Sequence, residues 1–110
     1  MGIATIDEAK YERMMTAPAG VAVIEFGASW CPPCRTLEPI LDELSAEYGG
    51  AAAIVKVDCD RSPELASMYG VMSMPTVVVF KDGQPVDKLV GLRPKSAYRT
   101  VIDRLTGSAG

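Results

Sequence analysis

The segment Val21-Ala22-Val23-Ile24-Glu25-Phe26 is apolar at odd and even positions alike, and only Glu25 interrupts it. Successive side chains of a strand point to opposite faces, so such a run has two faces to bury and belongs at the centre of a sheet with helices on both sides. A few residues later Trp30-Cys31-Pro32-Pro33-Cys34 opens a stretch in which Cys34, Leu37, Leu41, Leu44 and Tyr48 recur at helical spacing, with Glu38, Asp42, Glu43 and Glu47 between them. That pattern predicts an amphipathic helix beginning at the two cysteines. Pro32 and Pro33 suit its first positions, where a missing N–H costs little. Pro39 is expected to kink it and Gly49-Gly50 to end it.

Two thiols at a helix start carry a chemical implication. The unpaired N–H groups and partial positive charge there favour a thiolate over a thiol, so Cys31, just before the first turn, is the candidate nucleophile. With prolines at 32 and 33, the amide of Cys34 is the nearest donor left for the Cys31 sulfur. Two residues between the cysteines allow a small-ring disulfide that opens and closes, carrying two electrons. The competing reading of a CxxC is half a zinc site. Here there is no histidine and no second CxxC, and Cys59 is the only other cysteine, so four ligands would require a carboxylate.

The rest of the chain supplies the frame. Ile3 to Thr5 reads as a short edge strand, Thr5 with Glu8 as a capping box, and Ile6 to Met15 as the first helix, broken by Thr16 to Gly20. Ala52 to Asp58 is a strand parallel to the first long one, because a helix crosses between them. Ser62 or Asp60 caps a helix from Pro63 to Met68 that ends at Gly70. Thr76 to Phe80 is a strand, Asp82-Gly83 marks a hairpin, and Val86 to Val90 returns antiparallel. Pro94 to Leu105 forms the last helix and Gly107 to Gly110 a loose tail. The sum is an α/β fold: a central mixed sheet of four to five strands, flanked by helices on both faces.

With 110 residues and 48% hydrophobic content, the expectation is a single domain over residues 1–110. Eleven basic against fourteen acidic residues give a net charge of −3 without a basic cluster, which argues against nucleic acid and anionic membrane as partners. No apolar run approaches the ~20 residues of a membrane span, and no charged-then-apolar leader opens the chain. A cytoplasmic protein is expected. In a reducing compartment few cysteines, two of them in a CxxC, suggest redox catalysis more than a structural staple.

Trp-Cys-x-Pro-Cys after a buried strand resembles the thioredoxin family, with further matches through most of the chain. The resemblance implies the thioredoxin fold and a monomeric protein-disulfide reductase, Cys31 attacking disulfide-containing target proteins and Cys34 resolving the mixed disulfide. No nucleotide-binding glycine motif is present, so the electrons must come from a separate protein, by the resemblance a thioredoxin reductase; no cofactor is expected and, on the ligand count above, no metal. The rival readings are a disulfide oxidase or isomerase of the same fold and a non-catalytic binding subunit.

The same resemblance assigns further site residues. Glu25 stands where the family usually buries an aspartate beneath the disulfide. A lone carboxylate among apolar neighbours is expensive to ionise, so its pKa should rise toward neutrality, as suits a proton shuttle. The plainer reading has Glu25 reaching solvent or paired with Lys56, a position where the family also tends to place lysine. Met74-Pro75-Thr76 matches the loop in which the family holds a cis proline against the disulfide, with the backbone of residue 74 pairing with substrate; the alternative is a trans proline opening a strand. Trp30, Val71, Met72, Met74, Gly91 and Leu92 are expected to form an apolar ring around Cys31, although Val71, Met72 and Leu92 read equally well as part of the core. Pro32 replaces a glycine common in the family and stiffens the substrate-facing loop. Gly27 stands where many members carry a second tryptophan, leaving less aromatic backing. Cys59 reads as core filler, with regulation by oxidation as the alternative.

Overall fold

The two-faced apolar strand occupies the middle of the sheet. In the computed structural model, which describes residues 2–16 and 20–107, the chain forms β1 (Ala4–Thr5), α1 (Glu8–Thr16), β2 (Val21–Gly27), α2 (Pro32–Tyr48), β3 (Ala52–Asp58), α3 (Pro63–Met68), β4 (Thr76–Lys81), β5 (Gln84–Val90) and α4 (Lys95–Thr106). The strand order is β1-β3-β2-β4-β5. β1 and β2 both run parallel to β3, whereas β4 is antiparallel to β2 and to β5.

Alternation along β2 divides the core in two. Val21 and Val23 join Ile54, Val77 and Val79 beneath α2 and α4, against Leu37, Leu41, Leu44, Tyr98 and Ile102. Ile24 and Phe26 face the other way, with Val55, Val57, Val78 and Phe80, and are covered by Tyr11 of α1 and Leu65 of α3. Odd-numbered Glu25 and Gly27 therefore belong to the α2 side. Both lie at the end of the strand where α2 begins.

Several element ends differ from the sequence expectation. The first helix starts at Glu8 because the Ile6 N–H donates to the Lys56 carbonyl at 2.8 Å, carrying the β1 pairing two residues beyond Ala4. The cap is Asp7: its Oδ1 accepts from the Lys10 N–H at 2.9 Å, displacing the Thr5 and Glu8 capping box. Glu8 instead accepts a hydrogen bond from the Ser62 hydroxyl at 3.2 Å, so Ser62 precedes α3 without capping it through its side chain. Pro39 lies on the exposed side of α2, which continues past it to Tyr48.

The β4–β5 hairpin closes on Asp82 and Gly83, with φ of 51° and 81°, the paired positive values a two-residue primed turn demands. With so tight a turn, β5 begins at Gln84 rather than Val86. Pro85, which cannot donate to a ladder, is accommodated on this edge strand beside the register shift at Val79/Phe80. Gly107 closes α4 through its N–H to the Asp103 carbonyl. The remainder of the expected tail, 108–110, and residues 17–19 of the expected break lie outside the described residues.

Replacing Asp7 with alanine should lower stability by about 1 kcal/mol, and Thr5→Ala by clearly less, in urea unfolding. The opposite order would return the cap to Thr5.

Candidate active site

β2 delivers the chain to Ala28, whose carbonyl accepts from the Cys31 N–H at 3.2 Å. That turn places Cys31 at the N-cap of α2 with extended backbone, φ −92° and ψ 108°. The Cys34 N–H donates to the Cys31 Sγ at 3.3 Å, and the Arg35 N–H to the Cys31 carbonyl at 3.1 Å. Since Pro32 and Pro33 have no N–H, Cys34 supplies the first helix amide able to reach that sulfur. Cys31 and Cys34 are joined as a disulfide with their Cα atoms 5.3 Å apart. A sulfur that accepts from a helix amide, at the positive end of the α2 dipole, is better able to carry negative charge.

Ala28 and Met74 pack against the cysteine pair. The Met74–Pro75 peptide is cis, Pro75 is buried, and its carbonyl accepts from the Gly91 N–H at 2.8 Å. Trp30 is 61% exposed while its Nε1 donates to Asp60 Oδ2 at 2.7 Å. Met72 and Leu92 are exposed, whereas Val71 packs into the core on the α1 and α3 side and does not belong to the ring expected around Cys31. Pro32 is exposed at the first position of α2.

Glu25 is only 2% exposed, so its stem does not carry it to solvent. Nor is it paired with Lys56. The two residues are in register across β2 and β3, yet the Lys56 ammonium makes its ion pair with Glu38 Oε1 of α2 at 3.2 Å. The Oε2 atom of Glu25 is buried without a hydrogen-bond partner among the described residues. Its pKa is pushed up to about 7, chiefly by burial and next by the nearby Glu38 charge, with Lys56 acting in the opposite direction. A cavity of about 150 Å³, lined by Glu25, Gly27, Cys34, Glu38, Lys56 and Asp58 among others, lies between the carboxylate and the surface.

Glu38 was not singled out from the sequence as a site residue. The available signal was its position one helical turn after Cys34, which puts both on the same face of α2. Cys59, half-buried, packs with the α1 and α3 core, and its thiol is pushed up to about 11 by burial and by Glu25, Asp58 and Asp60. Among the described residues, no three His, Cys, Asp or Glu side chains converge as a metal site requires.

Comparison with known proteins agrees with this geometry. The thioredoxin family model matches residues 2–104. The chain is 45% identical over 104 residues to a thioredoxin of Staphylococcus aureus, covering 94% of this chain and 98% of that protein. Among solved structures, a single-site mutant thioredoxin from Halobacterium salinarum NRC-1 superposes with a TM-score of 0.83 at 37% identity, over 94% of this chain and 89% of that one. The oxidized form of mitochondrial thioredoxin 3 from Saccharomyces cerevisiae gives 0.84 at 33% identity, over 94% and 95% of the two chains.

Two measurements follow from these environments. The folded Glu25 pKa of about 7 exceeds the ordinary 4.5, so the folded state binds the extra proton between those values and its stability falls as pH rises from 4.5 through 7. Above that range the penalty is constant, at roughly 3 kcal/mol. Glu25→Gln should therefore unfold at higher denaturant than the parent at pH 8 and show little difference at pH 4; an unchanged pH 8 midpoint would contradict the burial argument. Cys59 should alkylate slowly at pH 7 in the native protein and quickly after unfolding.

Proposed function

This chain belongs to the thioredoxin family and is a thiol–disulfide oxidoreductase, a protein-disulfide reductase; on that basis we propose how its residues divide the work. Cys31, as thiolate, attacks one sulfur of a target disulfide, forming a mixed disulfide and expelling the other target sulfur as a thiolate. Cys34 then loses its proton to Glu25 and attacks the Cys31 sulfur, releasing the second target thiolate. The Cys31–Cys34 disulfide forms, and the target has gained two electrons. The observation that carries this assignment is the hydrogen bond from the Cys34 N–H to the Cys31 sulfur, which lowers the energy of negative charge at Cys31 and so raises the fraction present as the attacking thiolate.

Glu25 acts as proton acceptor in the resolving step because a carboxylate titrating near neutrality can take a proton and give it up again. Lys56 tunes it from the mouth of the cavity, sharing its charge with Glu38. Trp30, Pro32, Met72, Met74 and Gly91 with cis Pro75 form the surface that receives an extended target segment, whose backbone pairs at Met74. The electrons are returned by a thioredoxin reductase, making the protein a link in cellular electron transport. It works as a monomer in the cytoplasm, one domain over residues 1–110.

Cys34→Ser should accumulate disulfide-linked target proteins, while Cys31→Ser should trap none and reduce no insulin. Equal trapping by both variants would reverse or abolish the assignment. In single-turnover reduction, Glu25→Gln should slow resolution of the mixed disulfide by about 100-fold, the scale of positioned proton transfer, with the first attack little changed.

A further inference from the structure

Gly27 is the last residue of β2, in register with Asp58 of β3, and its φ is not in the left-handed region. The backbone there asks for no glycine, and glycine in a strand is costly in entropy and packing. What is particular to the position is space. A Cβ built on Gly27 would overlap Glu25 Oε2 and come within 2.9 Å of Cys34 Sγ and 3.2 Å of Cys34 Cβ. The carboxylate and the resolving sulfur thus both border the volume that any side chain at residue 27 would fill.

We propose that Gly27 is a positioning residue for the resolving step: its missing side chain is what lets the Glu25 carboxylate lie against the Cys34 sulfur. The inference rests on the reading of Glu25 as the proton acceptor and adds what holds it in place. Glu25 and Gly27 are two apart on one strand and face α2 together, so a longer acid at residue 25 and an empty position at residue 27 are geometrically matched. Cys34 is fixed on the first turn of α2, whereas Glu25 Oε2 is the far end of a longer side chain that borders the cavity. A methyl group at residue 27 therefore moves the carboxylate into the cavity, toward water and Lys56. The groups facing Glu25 are Cys34 and Glu38 from α2, Lys56 and Asp58 from β3, Cys59 just beyond it and Tyr98 from α4. Of these only Lys56 is cationic, and it lies on the cavity side.

The test uses the full chain with Gly27→Ala, alone and combined with Glu25→Asp, whose side chain lacks one methylene. In Gly27→Ala the Glu25 carboxyl, followed by carbon NMR in the oxidised protein, should titrate below its parental value of about 7. Resolution of the mixed disulfide should slow on the order of 10- to 100-fold, its pH midpoint moving down with the carboxyl. At pH 4, where the buried carboxyl carries no charge to desolvate, Glu25→Asp should restore most of the stability that the overlap at residue 27 removes. A packing role alone would lower stability without moving the titration, so an unshifted carboxyl in folded Gly27→Ala overturns the proposal. If Gly27→Ala does not fold, recovery of folding with Glu25→Asp supports the size match, and failure to recover overturns it. Unchanged turnover in Glu25→Gln would instead refute the proton role of Glu25, and the NMR titration would still decide whether Gly27 positions it.

Discussion

Burying β2 on both faces is the constraint from which the rest of the molecule follows. A strand with Val23, Ile24 and Phe26 wholly removed from water needs a helical layer above and another below, and neighbours on both edges to satisfy its backbone. One such layer is α2, which starts over the end of β2. The helix's unpaired amides are thereby brought to the one place on the strand where a carboxylate interrupts the apolar run. The redox pair and its acid are thus consequences of the same packing decision that builds the core.

Charge around that carboxylate is arranged by competition. Lys56 stands beside Glu25 across the strands and favours its ionised form, though less strongly than burial opposes it. Glu38, one turn along α2 from Cys34, takes the ammonium in a partly exposed ion pair and adds its own negative charge to the site. Desolvation then prevails, and Glu25 titrates near neutrality. An isolated surface ion pair of this kind contributes little to stability. Its effect here is on the proton affinity of a third group.

What could be read from the sequence, and what could not, divides along locality. The β3 bounds and the α3 segment follow from runs and breakers within a few residues, and both agree with the structure at Ala52–Asp58 and Pro63–Met68. The start of α1 does not: whether Thr5 or Asp7 caps it depends on Ile6 bonding to Lys56, fifty residues away in the chain. The partner of Lys56 depends likewise on how α2 crosses the sheet, and periodicity shows Glu38 only as one polar residue among several. Gly27 was legible as a missing aromatic. Its positive meaning lies in an atom that is absent, and only coordinates reveal what would have collided with it.

Trp30 is the chain's only tryptophan, and it immediately precedes Cys31. Its polar edge is engaged by Asp60, leaving the ring itself as the surface on offer beside the redox pair. Ultraviolet emission at long wavelength therefore comes from a single fluorophore at the reacting sulfurs. Any change in that emission, whether from the redox state of the adjacent pair or from a partner covering the indole, is read free of background from other tryptophans.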